Sequence, residues 1–208
     1  AYVDKLSNGR IGYVHLPNTA YEGNRAMFKN YMPQTTKDAM IIDDRYNGGG
    51  FIPEHMITWL ARKPLNYWKR RGVEPTKTPQ FAHDGPKAML INGYSSSGGD
   101  AIPYYFRQAG LGKLIGTRTW GGLIGISGNP CLVDGGQVIA ATFRILDNDG
   151  NWIIENEGVT PDIKVVDRPE LIYQGKDPSI ERAVEELLKE LKDNPKKPLT
   201  VPPAPTDF

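Results

Sequence analysis

Short apolar runs alternate with segments of helical spacing along the first half of the chain. Continuous apolar runs of this kind are typical of strands that are covered on both faces of a sheet. The predicted strands cover 11–16, 39–42, 88–91 and 113–116, and the predicted helices cover 22–32, 53–62 and 100–108. Successive strand–turn–helix units indicate parallel strands joined by helical crossovers. The pattern therefore predicts an α/β fold.

The part of the chain after Cys131 has a different pattern. Segments 138–145 and 152–155 are predicted to form the strands of a C-terminal β-hairpin, with its turn at 147–150. The turn is rich in aspartate, but Gly150 is its fourth residue, whereas a calcium loop of the EF-hand type needs glycine at the sixth position. We interpret it as an ordinary β-turn.

A terminal helix follows, with Asp177 as its N-cap and Pro178 at its first position. One face of this helix is apolar and is predicted to pack in the core or at an interface. That face carries Ile180, Val184, Leu187, Leu188 and Leu191.

The length of 208 residues fits a single α/β domain with an ordinary core. We assign residues 1–194 to this domain. Residues 195–208 contain five prolines and are predicted to form an extended tail.

Composition and charge exclude several classes of partner. A net charge of +1 provides no broad basic field for nucleic acid or for an anionic membrane. No stretch reaches the ~20 apolar residues of a membrane span.

The single cysteine, Cys131, excludes an internal disulfide and a thiolate metal cluster, and we predict a structural role for it at a strand entry. No cofactor or metal is predicted.

The most informative segment is the serine- and glycine-rich turn at 92–100. A serine on a sharp strand-to-helix turn exposes its Oγ at the positive end of the helix. Ser97 has this position, and the amide of Gly98 directly after it can point at the oxyanion of an attacked carbonyl. The alternative is a flexible loop that caps the helix, because serine and glycine also dominate ordinary turns.

A second glycine-rich turn, 47–50, also lies between a predicted strand and a helix. Its N–H groups can form an anion-binding nest. A nucleotide site has no support, because the chain contains neither G-x-x-x-x-G-K-[ST] nor G-x-G-x-x-G. An oxyanion donor from this turn, paired with Gly98, would complete an acyl-transfer site at neighbouring strand ends.

These segments resemble a known family, the serine peptidases of the C-terminal processing class (S41), and within it the tricorn protease branch. Segment 43–50 (DDRYNGGG) resembles the family motif D-x-R-x-N-x-G-G, and segment 95–100 (SSSGGD) resembles S-A-S-A-S-E. Segment 116–122 (GTRTWGG) resembles G-x-x-T-x-G-K. The resemblance extends over 9–166 and implies a crotonase- or ClpP-like layered sheet with helical crossovers.

The same resemblance implies the site residues. The middle serine of the family's serine segment is the nucleophile, which selects Ser97, and the oxyanion hole is then Gly98 with a glycine of 48–50, for which we take Gly49. Processing proteases place a lysine base where this chain has Gly122. The tricorn branch instead uses a histidine, supported by a glutamate and a further serine. Segment 155–162 (ENEGVTPD) matches its E-N-x-G-V-x-P-D, which selects Glu155, with Glu157 as the second choice.

The histidine base is not evident in this chain. His15, His55 and His83 are each predicted to be structural or exposed, and His83 should lie at the opposite end of its strand from Ser97. A serine without a neighbouring base is a poor nucleophile. We therefore expect the chain to be a fragment of a longer protein, inactive or nearly so by itself, with the histidine upstream.

Resemblance to the tricorn branch further implies peptide substrates, upstream PDZ and β-propeller domains, a homo-oligomer and a cytoplasmic location.

Two alternative functions remain open. One is a non-catalytic scaffold or peptide-binding module that has lost the base. The other is a crotonase-like acyl-CoA enzyme, against which the serine turn and the glutamate segment argue.

Overall fold

A parallel five-stranded sheet forms the centre of the computed structural model, which describes residues 1–203. The strands in chain order are β1 (Ile11–His15), β2 (Ala39–Asp43), β3 (Asn66–Trp68), β4 (Thr76–Thr78), β5 (Lys87–Ile91), β6 (Gly112–Gly116) and β7 (Ile163–Lys164). The spatial order in the sheet is β1-β2-β5-β6-β7, and every neighbouring pair is parallel. The other two strands, β3 and β4, form a separate antiparallel pair.

Helices cover both faces of the sheet. They are α1 (Tyr2–Leu6), α2 (Tyr21–Tyr31), α3 (Pro53–Leu60), α4 (Gly98–Gln108), α5 (Pro169–Tyr173) and α6 (Pro178–Asp193), with a 3₁₀ turn at Met32–Gln34. Because successive strand residues point to opposite faces, β2 contributes Met40 and Ile42 to one core and Ala39 and Ile41 to the other. Helices α2, α3 and α4 pack into the first core, and α1 and α6 pack into the second. The predicted α/β layered sheet with helical crossovers is confirmed.

Helix α6 begins as predicted. The Asp177 side chain accepts a hydrogen bond from the Ile180 N–H at 3.0 Å, and Pro178 occupies the first turn, where its missing N–H costs nothing. Most of the apolar face of the helix is buried in the second core, and Leu188 packs against that core at its edge. The interpretation of this face as a packing surface is therefore confirmed.

The predicted C-terminal hairpin is wrong in its strands and right in its turn. The Asp147 N–H donates to the Asn151 carbonyl at 2.9 Å, and Leu146 bridges Trp152. Residues 138–145 do not form a continuous strand. They belong to a surface segment, 124–145, that we call the arm; isolated bridges at Gly125–Phe143 and Cys131–Gln137 hold its two sides together. Most of the arm is exposed, so little packing is available to stabilise a longer ladder.

Cys131 lies exposed in the arm and pairs with Gln137 only through an isolated bridge, so no continuous strand begins there, and its structural role stays a prediction. Sequence patterns did not reveal the short elements α1, β3, β4, β7 and α5.

Residues 195–203 of the predicted tail are mostly exposed and contain no helix or strand, and the rest of that tail lies outside the described residues. Within the described part, no helix has the length and apolarity needed to cross a bilayer.

Candidate active site

The two glycine-rich turns meet at one edge of the sheet. Strands β2 and β5 are parallel neighbours, so the turns that follow them leave the sheet side by side. The Ser96 N–H donates to the Asn47 carbonyl at 3.0 Å, and the Ser95 hydroxyl donates to the Asp44 carbonyl at 2.8 Å. The tertiary structure thus joins two segments about 50 residues apart in sequence, as expected for parallel strands with a helical crossover between them.

Ser97 occupies a strained position at the start of α4. Its φ of 55° and ψ of −114° are unusual for a residue with a side chain, and such backbones cost about 1–3 kcal/mol. The Ser97 N–H donates to the Gly122 carbonyl at 3.1 Å, and the Ser97 carbonyl accepts from Asp100 and Ala101. The surrounding backbone therefore holds this strain in place, which is typical of a functional turn.

Hydrogen bonding distinguishes the three consecutive serines. The Ser95 hydroxyl is buried against Asp44, and the Ser96 hydroxyl donates to the Asn47 carbonyl at 3.4 Å. The Ser97 hydroxyl is half-buried and has no hydrogen-bond partner among residues 1–203. Of the three, Ser97 alone has a hydroxyl without a hydrogen-bond partner in this range, and it is also the residue that resemblance selects; its role as nucleophile stays a prediction.

Gly49 lies directly against Ser97. With φ at +84°, it adopts a backbone conformation that favours glycine, and a Cβ at this position would stand 2.8 Å from the Ser97 Cβ. The Gly49 N–H, however, donates to the Asn47 Oδ1 at 2.9 Å. Its amide is therefore already occupied, which argues against the predicted role of Gly49 as an oxyanion donor.

Gly50 and Gly98 are better placed as a pair of donors. Neither N–H has an acceptor in the described part of the chain, and a Cβ on Gly98 would lie 2.9 Å from the Gly50 nitrogen. Both residues line the same cavity as Ser97, whereas Gly49 does not. The structure thus favours Gly50 over Gly49 as the partner of Gly98.

Thr19 holds the Gly49–Gly50 turn against α4, and sequence analysis missed it. The Thr19 N–H donates to the Gly49 carbonyl at 2.8 Å, and the Thr19 carbonyl accepts from the Ile52 N–H at 3.0 Å. Its buried side chain fills the space beside Gly98, where a Cβ would collide with the Thr19 Oγ1. No sequence signal identifies it, because it lies in an ordinary loop after β1.

Glu155 is brought to the site, and Glu157 is not. The Glu155 Oε2 accepts from the Leu123 N–H at 2.7 Å, and the neighbouring Gly122 carbonyl accepts from the Ser97 N–H. The side chain of Glu157 is exposed and makes no hydrogen bond within the described range. Of the two glutamates, only Glu155 is thus linked to the segment that contacts Ser97, and its catalytic role stays a prediction.

Two buried carboxyl groups lie behind the two glycine-rich turns. The Asp44 Oδ1 accepts from the Asn47 side chain at 2.8 Å, and the Asp100 Oδ1 accepts from the Gly121 N–H at 2.7 Å. Burial raises the pKa of the Asp100 carboxyl, and burial together with the nearby Asp43 carboxylate raises that of Asp44 well above its usual range. Both groups hold the turns in place from inside the protein.

Arg45 connects the first turn to the C-terminal part of the chain. Its guanidinium contacts Asp43 at 2.7 Å and both Asp167 and Asp177 at 2.9 Å. Its side chain is only 9% exposed. We call these four residues the Arg45 cluster. Because Asp177 also caps α6, the cluster ties the motif turn to the start of that helix.

None of the three histidines contacts Ser97 within residues 1–203. His83 precedes β5, at the end of the strand opposite Ser97, and its Nε2 lies 3.1 Å from the Lys37 carbonyl oxygen. Burial lowers the pKa of His83 to about 4, so the ring is neutral near pH 7. His55 is exposed on α3, where its Nε2 accepts from the Trp59 Nε1, and His15 is exposed at the end of β1.

A cavity of about 330 Å³ opens beside Ser97. Ser97, Gly98 and Gly50 form one wall, and apolar side chains from α3, α4 and the arm form most of the rest. Its volume lies within the usual range of ligand pockets, ~300–1,000 Å³. In the described residues, no cluster of three or more histidine, cysteine, aspartate or glutamate side chains is arranged to hold a metal ion.

Comparisons with known proteins agree on one family. The family model described as Peptidase family S41 matches residues 10–165. The tricorn protease of Thermoplasma volcanium is 37% identical over 193 residues, which cover 92% of this chain and 18% of that protein. Tricorn protease homolog 1 of Streptomyces coelicolor is 34% identical, with 95% of this chain and 18% of that protein covered. The chain therefore spans about a fifth of the length of these curated relatives.

Solved structures give the same result for the fold. A crystal structure of the tricorn protease superposes with a TM-score of 0.88 at 35% identity, covering 92% of this chain and 19% of that chain. The photosystem II D1 C-terminal processing protease superposes with a TM-score of 0.58 at 19% identity, over 84% of this chain and 46% of that one. The second match shows the shared fold alone.

Proposed function

The chain belongs to peptidase family S41 and is part of a serine-type peptidase, and on this premise we propose that Ser97 is its nucleophile and short peptides are its substrates. The observation that carries the proposal is the strained Ser97 turn, with a hydroxyl beside two backbone amides, none of which has a hydrogen-bond partner among residues 1–203. Family membership argues against the acyl-CoA alternative, because it assigns the chain to hydrolases.

The proposed reaction is acyl transfer in two steps. The Ser97 Oγ attacks the peptide carbonyl and loses its proton to a base, while the carbonyl oxygen takes up negative charge and accepts from the Gly98 and Gly50 N–H groups. The C–N bond then breaks, and the leaving amine receives the proton. Water hydrolyses the resulting ester and regenerates Ser97.

We place the base outside these 208 residues. The three histidines of this chain are committed elsewhere or lie apart from Ser97, and the chain covers only 18% of its first relatives. The base is then a histidine from a further part of the protein, and Glu155 supports it through its carboxylate. By itself the 208-residue chain would hydrolyse peptides slowly or not at all.

The wider setting is part of the same proposal. By analogy with the tricorn branch, the protein carries PDZ and β-propeller domains upstream, forms a homo-oligomer and works in the cytoplasm on peptides. These statements rest on the similarity to tricorn proteases over the C-terminal part only.

Labelling with a fluorophosphonate tests the nucleophile. An activated serine hydroxyl displaces fluoride from phosphorus and keeps the phosphonyl group. After reaction of the full-length protein, mass spectrometry of its peptides should locate the adduct on Ser97. The Ser96→Ala variant should label equally well, and heat-unfolded protein should not label. An adduct on another residue would contradict the assignment, and the absence of any adduct would support the scaffold alternative.

Replacing Glu155 by glutamine should lower kcat about 10²-fold with little change in KM. The glutamine carbonyl can still accept from the Leu123 N–H, so the substitution removes the charge that stabilises a protonated base while the fold is kept. Steady-state kinetics of the full-length protein measure the effect. Glu157→Gln is the matched control, since that side chain is exposed, and an equal loss in both variants would rule out the assigned role of Glu155.

A further inference from the structure

The cavity beside Ser97 is lined mainly by apolar residues. Resting on the proposed function, we infer that this cavity binds a large apolar side chain, aliphatic or aromatic, of the residue whose carbonyl Ser97 attacks. The enzyme would therefore cut after residues such as phenylalanine or leucine. Neither the family assignment nor the relatives specify this preference for the present chain.

The position of the cavity identifies which substrate residue enters it. Its walls include the nucleophile Ser97 and the two candidate donors, Gly98 and Gly50. In the attacked substrate, the carbonyl carbon lies at the Ser97 Oγ and the carbonyl oxygen accepts from those amides. The α-carbon of the same substrate residue is bonded directly to that carbonyl carbon. The side chain on that α-carbon is the substrate group nearest to these atoms, so it enters the cavity on the acyl side of the cleaved bond.

The walls farther from Ser97 are mainly apolar. Ala101, one turn into α4, is buried and leaves room because its side chain is short. Tyr105 adds an aromatic surface one turn later, and the arm adds Ile124, Ile145 and Phe143. The Phe143 ring rests on Gly125, where any Cβ would collide with it. Such a lining favours apolar groups, because binding removes the apolar surface of both the ligand and the cavity wall from water.

Two charged residues line the cavity without making it selective for charge. Glu54 is exposed in the first turn of α3, and Arg144 is exposed on the arm. The Arg144 guanidinium lies over the Trp152 ring, 5.1 Å from its centroid. The two groups have opposite sign and remain in water at the rim. A charged substrate side chain would therefore lose its hydration inside the cavity without a buried partner.

A panel of substrates tests the inference directly. Peptidyl coumarylamides that differ only in the last residue, phenylalanine, leucine, arginine or aspartate, keep the leaving group constant. With full-length protein, we expect kcat/KM for phenylalanine and leucine to exceed that for arginine and aspartate by about 10- to 100-fold. Fluorophosphonate labelling of the same protein reports in parallel whether the Ser97 hydroxyl is reactive.

One substitution should reverse the preference. Ile124→Glu places a carboxylate on a half-buried wall of the cavity, so cleavage after arginine should rise about tenfold and cleavage after phenylalanine should fall. A gain cannot result from misfolding. Val133→Glu is the matched control, because Val133 is fully exposed at 110% on the same arm and lies away from the cavity. It should leave the preference unchanged.

Truncation of one side chain in the cavity wall gives a second test. Phe143→Ala removes a ring that is 52% exposed, so the fold should tolerate it, and cleavage after phenylalanine and leucine should fall about tenfold. Labelled protein that prefers arginine or aspartate, or that keeps its preference in Ile124→Glu, would overturn the inference and leave the proposed function intact. The absence of both label and cleavage would overturn the proposed function and this inference with it.

Discussion

Ser97→Ala is expected to lower kcat/KM of the full-length protein for a short peptide by about 10⁵-fold or more. Alanine cannot form the acyl bond, so only binding and oxyanion stabilisation remain. The backbone donors Gly98 and Gly50 are not altered by this change, so peptide affinity should stay close to its original value. Progress curves with a coumarylamide substrate and binding of a product peptide measure the two quantities separately.

The neighbouring serine provides the control for this experiment. Ser96→Ala removes the same group one residue earlier, where the hydroxyl makes only a 3.4 Å contact to the Asn47 carbonyl. We expect its activity to stay within about threefold of the original, since a hydrogen bond of this kind contributes about 1 kcal/mol or less. Equal peptidase activity in the original protein and in Ser97→Ala would establish the scaffold alternative instead.

Arg45→Met is expected to lower the free energy of opening α6 by about 3 kcal/mol or more. Methionine keeps much of the length of the side chain, but it leaves Asp43, Asp167 and Asp177 facing one another without the cation that pairs them. The repulsion among these carboxylates acts at the N-cap of α6. Hydrogen exchange of the full-length protein should therefore show faster exchange of the α6 amides, by about 10²-fold.

Arg168→Met is the matched control for the Arg45 cluster. Arg168 pairs with Glu170 at 2.7 Å, but its side chain is 66% exposed. Exposed ion pairs contribute about 0–1 kcal/mol, so exchange in α6 should change little. Unchanged exchange in Arg45→Met would contradict the idea that the cluster holds α6 to the glycine-rich turn that follows β2.

Elements with a strong local signal were predicted well from the sequence. Strands β2 and β5 are buried along their whole length, and residues 39–42 and 88–91 are apolar because both of their faces are covered; the polar residues Asp43 and Lys87 stand only at the strand ends. Helix α6 carries its own cap and apolar face. The surface arm lacks such a signal: its residues 138–145 are predicted to form one strand of a hairpin, yet most of the arm's side chains remain exposed and only isolated bridges form.

Sequence alone therefore determined the α/β architecture, the family and the turn that presents Ser97, because these depend on local pattern and on motifs that are contiguous in the chain. Tertiary structure decided the rest. The Gly49 N–H donates a hydrogen bond to the Asn47 Oδ1, which favours Gly50 as the proposed oxyanion donor, and no residue pattern reports this bond. The cavity next to Ser97 combines α3, α4 and the arm, segments distant in sequence, so its apolar character emerges only when folding brings them together.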